Sequence, residues 1–279
     1  MLKVLKPGFY TTLQDQGRYH YRHFGVPVSG ALDQTALRRV NGLLENDPDA
    51  AVLECTMQGP ELVFEEPTFI ALGGGTMEAE LQGEAVEGNR VYQVAAGQVL
   101  RCGHVTRGLR VYLAVRGGFQ SEQRLGSRSQ FYPVTPAPRL DKGMQIPYAP
   151  CTEFEPKLLK VSSPSYFEKE DLVVFPGPDY GILSEGQRTQ ILEGSFQLSK
   201  AHDRMACQLE PAISGHSFDM ITSATLPGTV QLTPAGTLII LMRDGQTTGG
   251  YPRILQLDMA SLDLMGQKRF GDKVRFREA

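Results

Sequence analysis

Glycine and proline interrupt this chain so often that long helices are excluded over most of its length. Thirty glycines and eighteen prolines are spread over 279 residues, and both residues weaken the interior of a helix. The apolar runs between them are short, and they alternate with polar residues or contain β-branched ones. Such runs lie at 62–64, 69–72, 90–94, 99–102, 110–115, 172–175, 229–233, 238–242 and 274–277. Many short strands with regular turn signals predict a mainly β fold, as a barrel or a sandwich.

A few short helices are predicted beside these strands. Asp33 can cap the free N–H groups of a helix over 33–41, for which Gly42 is the expected stop. Ser184 and Gln187 have the spacing of a capping box and predict a second helix over 185–193, ended by Gly194. A third helix is predicted over 262–267.

Prolines cluster at 133–138 and again at 147–150. Each proline lacks the N–H that a regular ladder of hydrogen bonds needs, so these segments favour a connection over a strand or helix. We therefore predict an N-terminal β-rich subdomain over 1–135, a Pro-rich connection over 136–160 and a C-terminal β-rich subdomain over 161–279.

Composition narrows the class of protein. Hydrophobic residues make up 41% of the chain and charged residues 21%, as in globular proteins, and no apolar run has the roughly 18–20 residues that cross a bilayer. The N-terminal residues lack the features of a signal peptide, so we expect a cytoplasmic protein with no membrane partner. A formal charge of −3 with dispersed Lys and Arg predicts no nucleic-acid partner.

The four cysteines are far apart in the sequence. Cys55, Cys102, Cys151 and Cys207 lack the close pairs of a zinc site and the density of a disulfide scaffold. We expect four buried free thiols. His20 and His23 are three residues apart but have no evident third ligand, so we expect no metal site.

The most unusual loop of the sequence spans residues 243–252. A two-residue hairpin turn would need only Asp-Gly, yet here Gln246, Thr247 and Thr248 precede Gly249 and Gly250. Polar groups beside a glycine pair are typical of a site where a ligand approaches the backbone. We predict a site loop here.

A second polar cluster lies near the start of the chain. Gln14, Asp15 and Arg18 occupy the segment 11–18, and a Gly-rich segment follows at 25–33. The forked donors of an arginine suit a carboxylate or phosphate, so a ligand role is one interpretation. The alternative is that Asp15 and Arg18 pair with each other and hold the segment.

A third polar segment, 199–205, contains Asp203 and Arg204. Convergent ionisable groups in a cleft are candidate site residues. The alternative is an Asp–Arg pair that fixes a corner, which contributes little where it is exposed. The sequence distance between Asp203 and Gln246 does not prevent them from lying close together in space.

Several superficial motifs are discounted. His216, Ser217 and Asp219 are the residue types of a hydrolase triad, but near neighbours on a strand point to alternating faces. The segment 126–130 lacks the last glycine of a nucleophile elbow. The segment 266–273 has no Ser or Thr for magnesium after its lysine. The glycines at 73–75 lack the spacing of a dinucleotide fingerprint and are interpreted as a turn.

Taken together, the motifs resemble one known family over nearly the whole chain. The matching segments are 11–18, 25–33, 41–54, 117–119, 125–129, 177–178, 203–205, 227–231 and 244–252. They resemble the carboxyltransferase family known as allophanate hydrolase subunit 2, and within it the 5-oxoprolinase branch. His202 and Ala206 depart from the family pattern around Asp-Arg-Met, and these departures concern only the local backbone shape.

The resemblance implies a fold, an activity and partners. It implies two cyclophilin-like β-barrel subdomains with a few short helices, and a companion of the allophanate hydrolase subunit 1 type. Stand-alone members resemble the C subunit of an ATP-dependent 5-oxoprolinase, which works with the A and B subunits and opens the lactam of 5-oxoproline to L-glutamate. ATP is then used by the complex, not necessarily bound by this chain, and no Met-Lys-Met biotin acceptor occurs.

Two alternatives stay open under the same resemblance. Relatives fused in urea amidolyase resemble a module that transfers a carboxyl group from biotin to urea. Other relatives pair with an inhibitor of a sensor kinase, which would make the chain a regulatory partner without catalysis.

Residue types suggest roles for the predicted site. Asp15 or Asp203 could orient a proton or a water, and donors at Gln246, Thr247 and Thr248 could stabilise an amide oxygen that gains negative charge. The expected catalytic residues are therefore Asp15, Asp203, Gln246, Thr247 and Thr248. The expected substrate-binding residues are Gln14, Arg18, Arg204, Gly249, Gly250 and Tyr251. We expect the side chains of Arg18, Asp203 and Gln246 to meet in one hollow.

Overall fold

The chain forms two compact units. The computed structural model describes residues 1–162 and 165–279. The first unit consists of Met1–Arg18 and Ser29–Ser165, and the second of Tyr19–Val28 and Tyr166–Ala279. The polar segment 11–18 therefore belongs to the first unit, whereas the Gly-rich segment 25–33 is divided between the second unit, up to Val28, and the first unit, from Ser29.

The first unit is built around a nine-stranded sheet. Its strands are β1 (Leu2–Lys6), β2 (Tyr10–Gln14), β3 (Val52–Thr56), β4 (Glu61–Phe64), β5 (Thr68–Leu81), β6 (Glu84–Ala85), β7 (Val91–Val94), β8 (Val99–Val115) and β9 (Gln145–Ile146). The main path runs β2-β3-β8-β4-β1-β9, while β5 pairs with β6, β7 and β8. Every pairing is antiparallel.

Side chains of this sheet alternate between two apolar cores, as the two-residue period of a strand requires. One core contains Leu53, Cys55, Ile70, Leu72, Val111 and Leu113. The other contains their sequence neighbours Val52, Phe69, Ala71, Tyr112 and Ala114 together with Leu37 and Val40 of helix α1 (Gln34–Leu43). The helix thus covers one face of the sheet.

The cap of α1 is confirmed, but the predicted end is wrong. The Asp33 side chain accepts a hydrogen bond from the backbone N–H of Ala36 at 2.9 Å. The helix continues through Gly42 to Leu43, and Leu44 is its C-cap residue. Leu43 and Leu44 are both buried in the core under the helix, so apolar burial extends the helix past the glycine.

The glycines at 73–75 are not a turn, contrary to the prediction. They lie inside the long strand β5. A Cβ on Gly73 would lie 2.6 Å from Cγ1 of Val40, and a Cβ on Gly75 would lie 2.6 Å from the carbonyl oxygen of Arg107. Glycine is needed here because helix α1 and strand β8 approach the strand closely.

The second unit contains a closed seven-stranded barrel. In barrel order its strands are β10 (Asp171–Pro176), β17 (Arg253–Leu257), β14 (Thr229–Leu232), β15 (Leu238–Leu241), β12 (Ala206–Glu210), β11 (Phe196–His202) and β18 (Lys273–Glu278). Two further short strands, β13 (Ser223–Ala224) and β16 (Thr248–Gly249), pair with each other outside the barrel. The mainly β class with a few short helices is confirmed, with a closed barrel here and an open path in the first sheet.

Two helices belong to the second unit. Helix α2 (Glu185–Glu193) begins with the predicted capping box of Ser184 and Gln187 and ends at Gly194. Helix α3 (Met259–Met265) begins three residues before its predicted start, because Asp258 caps it through the backbone N–H of Ser261 at 2.7 Å. Single turns of 3-10 helix lie at Arg22–Phe24, Tyr166–Glu168 and Tyr180–Ile182. Within the described ranges, no helix has the length and hydropathy needed to span a bilayer.

Candidate functional site

Asp15 is the centre of a buried hydrogen-bond cluster at the end of β2. Its side chain is 4% exposed. Oδ1 accepts hydrogen bonds from the Ser127 hydroxyl at 2.7 Å, the Ser129 hydroxyl at 2.6 Å and the backbone N–H of Gly17 at 2.8 Å. Oδ2 accepts one from the backbone N–H of Arg128. A carboxylate with four donors holds the loop 126–130 in one conformation.

Gln14 and Arg18 contact the same loop. Arg18 is 1% exposed and its Nη2 donates to the carbonyl oxygen of Ser129. Nε2 of Gln14 donates to the carbonyl oxygen of Gln130 at 3.2 Å. The predicted site residues of the first unit therefore converge, and they do so around the loop 126–130. The catalytic role of Asp15 and the substrate-binding roles of Gln14 and Arg18 stay predictions.

The family-like segment 25–33 is held by a buried carboxylate. Glu54 accepts hydrogen bonds from the backbone N–H of Leu32 at 2.8 Å and from the Tyr112 hydroxyl at 2.9 Å. Nε of Arg110 lies 3.5 Å from the same carboxylate. Burial raises the pKa of Tyr112 well above its usual value, so this hydroxyl is a permanent donor and not a base.

A cavity of about 250 Å³ lies along the outer edge of β2 in the first unit. Its polar wall includes Ser121, Arg128 and Gln130, and its apolar wall includes Leu13 and Leu140. No sequence pattern predicts this cavity, although residues 125–129 are among the segments that resemble the family. The signal in the sequence is the arginine between two serines, Ser127 and Ser129, after Gly126.

In the second unit, two buried ion pairs fix the loop that follows β15. Arg204 binds Asp244 with two hydrogen bonds, Nε to Oδ2 at 2.7 Å and Nη2 to Oδ1 at 3.2 Å. Arg243 pairs with Asp263 of α3 at 2.9 Å. The expected Asp–Arg pair therefore exists, but its carboxylate is that of Asp244 and not that of the neighbouring Asp203.

The Arg204–Asp244 pair brings the predicted segments around 203 and 246 together. Asp203 is exposed, and its Oδ1 accepts from the backbone N–H groups of Met205 at 2.7 Å and Ala206 at 3.0 Å, which shapes the turn between β11 and β12. The backbone N–H of Met242 donates to the carbonyl oxygen of Met205. The polar turn and the site loop are thus neighbours.

The side chains of Gln246, Thr247 and Thr248 are free to bind a ligand. Gln246 and Thr248 are exposed and Thr247 is half-buried. The backbone carbonyls of Gln246 and Thr247 accept hydrogen bonds from the hydroxyl and the N–H of Thr225, at 2.6 and 3.0 Å. No hydrogen bond joins the three side chains to any other described residue. The backbone is held while the donors stay available.

The glycine pair and Tyr251 complete this loop. A Cβ on Gly249 would lie 2.5 Å from Nε2 of Gln231, whereas a Cβ on Gly250 would have open space around it. Gln231 also donates to the carbonyl oxygen of Tyr251 at 3.2 Å, and the Tyr251 ring is 41% exposed. The loop is open to solvent on the side of Gly250. Because Arg18 belongs to the other unit, its proximity to Asp203 and Gln246 stays a prediction.

The cysteines form no disulfide in the described part of the chain. Cys55, Cys102 and Cys207 are buried as expected, but Cys151 is partly exposed, because it lies outside the strands. Burial raises the pKa of Cys55 to about 12 and that of Cys102 well above its usual value. Neither of these two thiols is a nucleophile at neutral pH.

Comparisons with known proteins extend over nearly the whole chain. A family model described as carboxyltransferase domain, subdomain A and B, matches residues 24–278. The chain is 33% identical to the 5-oxoprolinase C subunit of Escherichia coli K12, covering 99% of this chain and 90% of that protein. It is 28% identical to the urea amidolyase of Lachancea kluyveri, covering 98% of this chain but 17% of that protein.

A solved structure has the same fold. The crystal structure of TTHA0988 superposes on this chain with a TM-score of 0.88 at 29% sequence identity. The match covers 99% of this chain and 55% of that one, so the chain spans about half the length of the solved protein.

Proposed function

This chain belongs to the carboxyltransferase family of subdomains A and B, and from that premise we propose that it is the C subunit of an ATP-dependent 5-oxoprolinase. The observation that carries the proposal is the 33% sequence identity between this chain and the Escherichia coli 5-oxoprolinase C subunit, which extends over 90% of that relative's length. The relatives favour this function over urea carboxylation, because urea amidolyase is matched over only 17% of its length.

The proposed reaction opens the lactam ring of 5-oxoproline. The oxygen of a water molecule adds to the carbonyl carbon, the bond between that carbon and the lactam nitrogen breaks, and the nitrogen takes up a proton from that water and becomes the amine of L-glutamate. Hydrolysis of ATP by the complex drives the step. The carbonyl oxygen gains negative charge on the way, so hydrogen-bond donors aimed at that oxygen lower the barrier.

The geometry of the second unit suggests which groups supply those donors. Gln246, Thr247 and Thr248 have side chains without a hydrogen bond to other described residues, on a backbone held by Thr225. We assign them to the developing oxyanion. Asp203 is exposed and accepts hydrogen bonds through Oδ1, and we assign its carboxylate to orienting water.

The remaining predicted residues receive supporting roles in this proposal. Gly249 and Gly250 let the substrate approach the backbone, beside the exposed ring of Tyr251. Arg204 is bound by the carboxylate of Asp244, so we assign it to positioning the loop and not to holding substrate. The loop 126–130 is held by Asp15, Gln14 and Arg18. We assign these three residues to positioning that loop and not to holding substrate. The complex includes the companion A and B subunits, and neither ATP nor biotin is assigned to this chain.

Separate assays with two substrates test the proposed 5-oxoprolinase function. The chain is purified together with its two companions, and phosphate release is followed with 5-oxoproline or with urea and bicarbonate, each with and without avidin. The proposal predicts phosphate release with 5-oxoproline that avidin does not change. Release that requires urea and bicarbonate, and that avidin stops, would instead establish the carboxyltransferase function to which the urea amidolyase match points.

A further inference from the structure

The cavity beside β2 has the size of a small-molecule site. Its volume of about 250 Å³ is just below the range of roughly 300–1,000 Å³ that holds drug-sized ligands. All of its lining residues lie within the first unit. Because this chain supplies the whole lining, binding can be measured on the chain without companions.

Two polar groups in the cavity wall have no hydrogen-bond partner. Nε of Arg128 and the hydroxyl of Ser121 are both buried from solvent and unpaired among the described residues. A buried polar group without a partner destabilises the folded state, and native structures contain few such groups. The described residues supply no partner for this donor and this hydroxyl, which lie in one cavity wall.

The charged side chains that line the cavity, Glu122, Arg124 and Arg128, carry a net positive charge. Glu122 and Arg124 also line the wall, but they pair with each other at 2.8 Å and are exposed. The guanidinium of Arg128 forms no ion pair among the described side chains, although its charge also acts on the exposed carboxylate of Asp49. Arg128 therefore has the forked donors of a carboxylate site without a protein carboxylate bound to them.

The opposite wall is apolar. It is formed by Leu13, Leu140, Met144, Ile146 and Pro147. Inorganic phosphate would leave these side chains without a partner, whereas a small acid with a hydrocarbon or ring portion would cover them. Gln130 adds an amide to the polar wall, and its Oε1 already accepts from the backbone N–H of Leu13 at 2.9 Å. Its Nε2 therefore presents donors, which suit a carbonyl oxygen.

We propose that this cavity binds a small organic acid, with Arg128 pairing the carboxylate, Ser121 bonding the same end and Gln130 bonding a carbonyl oxygen. The identification of the acid as 5-oxoproline or its product L-glutamate rests on the proposed function. The chemical class, a small organic acid, rests on the cavity alone. The site is preorganised, because Asp15 binds the hydroxyl groups on both sides of Arg128 and its backbone N–H.

Calorimetric titration of the full chain tests the proposal. The ligands are 5-oxoproline, L-glutamate, phosphate and 2-pyrrolidinone, which is the same lactam without the carboxylate. We expect saturable binding of at least one of the two acids, with 2-pyrrolidinone weaker by about tenfold or more, because a charge-assisted pair is lost. Arg128→Gln should weaken acid binding by about the same factor, and Ser121→Ala should weaken it less.

Arg139→Gln is the matched control, because Arg139 is exposed in the neighbouring segment and does not line the cavity. It should bind the acids as the wild type does. Equal affinity of wild type and Arg128→Gln, equal affinity for 5-oxoproline and 2-pyrrolidinone, or no saturable binding of either acid would overturn the proposal.

Hydrogen exchange on the wild-type chain gives a second test that needs no folded variant. Saturating acid should slow the exchange of the backbone N–H groups at 121–130, and unchanged exchange would overturn the proposal. The two proposals fail separately. If the chain binds acid but its verified complex does not consume 5-oxoproline, the proposed function is wrong and the cavity proposal stands. A chain that binds neither acid, although its verified complex consumes 5-oxoproline, overturns the cavity proposal alone.

Discussion

The carboxylate of Asp15 accepts the backbone N–H of Arg128 and, at 2.6 and 2.7 Å, the hydroxyls of Ser129 and Ser127. One buried acid thus fixes the backbone on both sides of the arginine that lines the cavity. A site residue held by such a hydrogen-bonded shell keeps its position without a ligand. In this account Arg128 binds the ligand and Asp15 positions Arg128.

Replacing Asp15 should loosen this loop. In Asp15→Asn the Nδ2 group cannot accept the hydrogen bonds that the carboxylate accepts, so buried donors lose their partners at a cost of about 1–3 kcal/mol each. We expect exchange of the backbone N–H groups of Gly17 and Arg128 to become at least tenfold faster. Asp49→Asn is the control, since among the described residues that exposed carboxylate accepts a hydrogen bond only from the N–H of Gln16. Equal exchange in Asp15→Asn and wild type would contradict the positioning role.

Breaking the buried Arg204–Asp244 pair should be far more costly than breaking an exposed ion pair. Arg204→Met leaves the Asp244 carboxylate buried without its cation, and we expect a loss of about 3–5 kcal/mol of unfolding free energy. Arg277→Met is the matched control, because the Arg277–Asp171 pair lies in the same unit with side chains 51% and 58% exposed. It should lose less than about 1 kcal/mol. Similar losses in urea unfolding would show that Arg204 does not hold the loop.

The helix caps were predictable from the sequence because each depends on contacts within four residues. Asp33 with Ala36 and Ser184 with Gln187 are of this kind. The start of α3 was not predicted, although its cap, Asp258, is equally local; the apolar pattern alone does not mark the first turn. The continuation of α1 past Gly42 depends on the burial of Leu43 and Leu44 against the sheet, which no local pattern contains.

The partners of the polar residues could not be predicted, because they are long-range. Asp15 binds a loop more than a hundred residues away, and Arg204 binds Asp244, forty residues away. Asp15, Arg204 and the loop 243–252 are unusual in the sequence, but residue types alone do not distinguish a buried pair from an open donor. The glycines at 73–75 show the same limit, because the atoms that leave no room for a side chain come from distant parts of the chain: Val40 of α1 beside Gly73 and Arg107 of β8 beside Gly75.

The two glycines of the site loop should respond differently to alanine. A Cβ at Gly249 would lie 2.5 Å from Nε2 of Gln231, whereas a Cβ at Gly250 meets nothing within 4 Å. Gly249→Ala should displace Gln231, break its bond to Tyr251 and lower the unfolding free energy by about 1–3 kcal/mol. Gly250→Ala should be close to neutral for stability. A thermal unfolding series in which both variants lose the same stability would refute this packing.

Thiol labelling should distinguish one cysteine from the other three. At pH 8 the thiolate is the reactive form, and burial that raises the pKa of Cys55 to about 12 keeps it protonated. We expect a thiol reagent to label Cys151 in the native chain and all four cysteines after unfolding. Cys151→Ser should abolish the native reaction. Rapid native labelling of Cys55 would contradict the burial described here.

The proposed function is tested most directly by measuring L-glutamate formed from 5-oxoproline and ATP, with the two companion proteins in the presence and in the absence of this chain. We expect glutamate only when all three proteins are present, at a rate that avidin does not change. Glutamate formed at the same rate by the companions alone, or none formed by the verified three-protein complex, would contradict the proposed function.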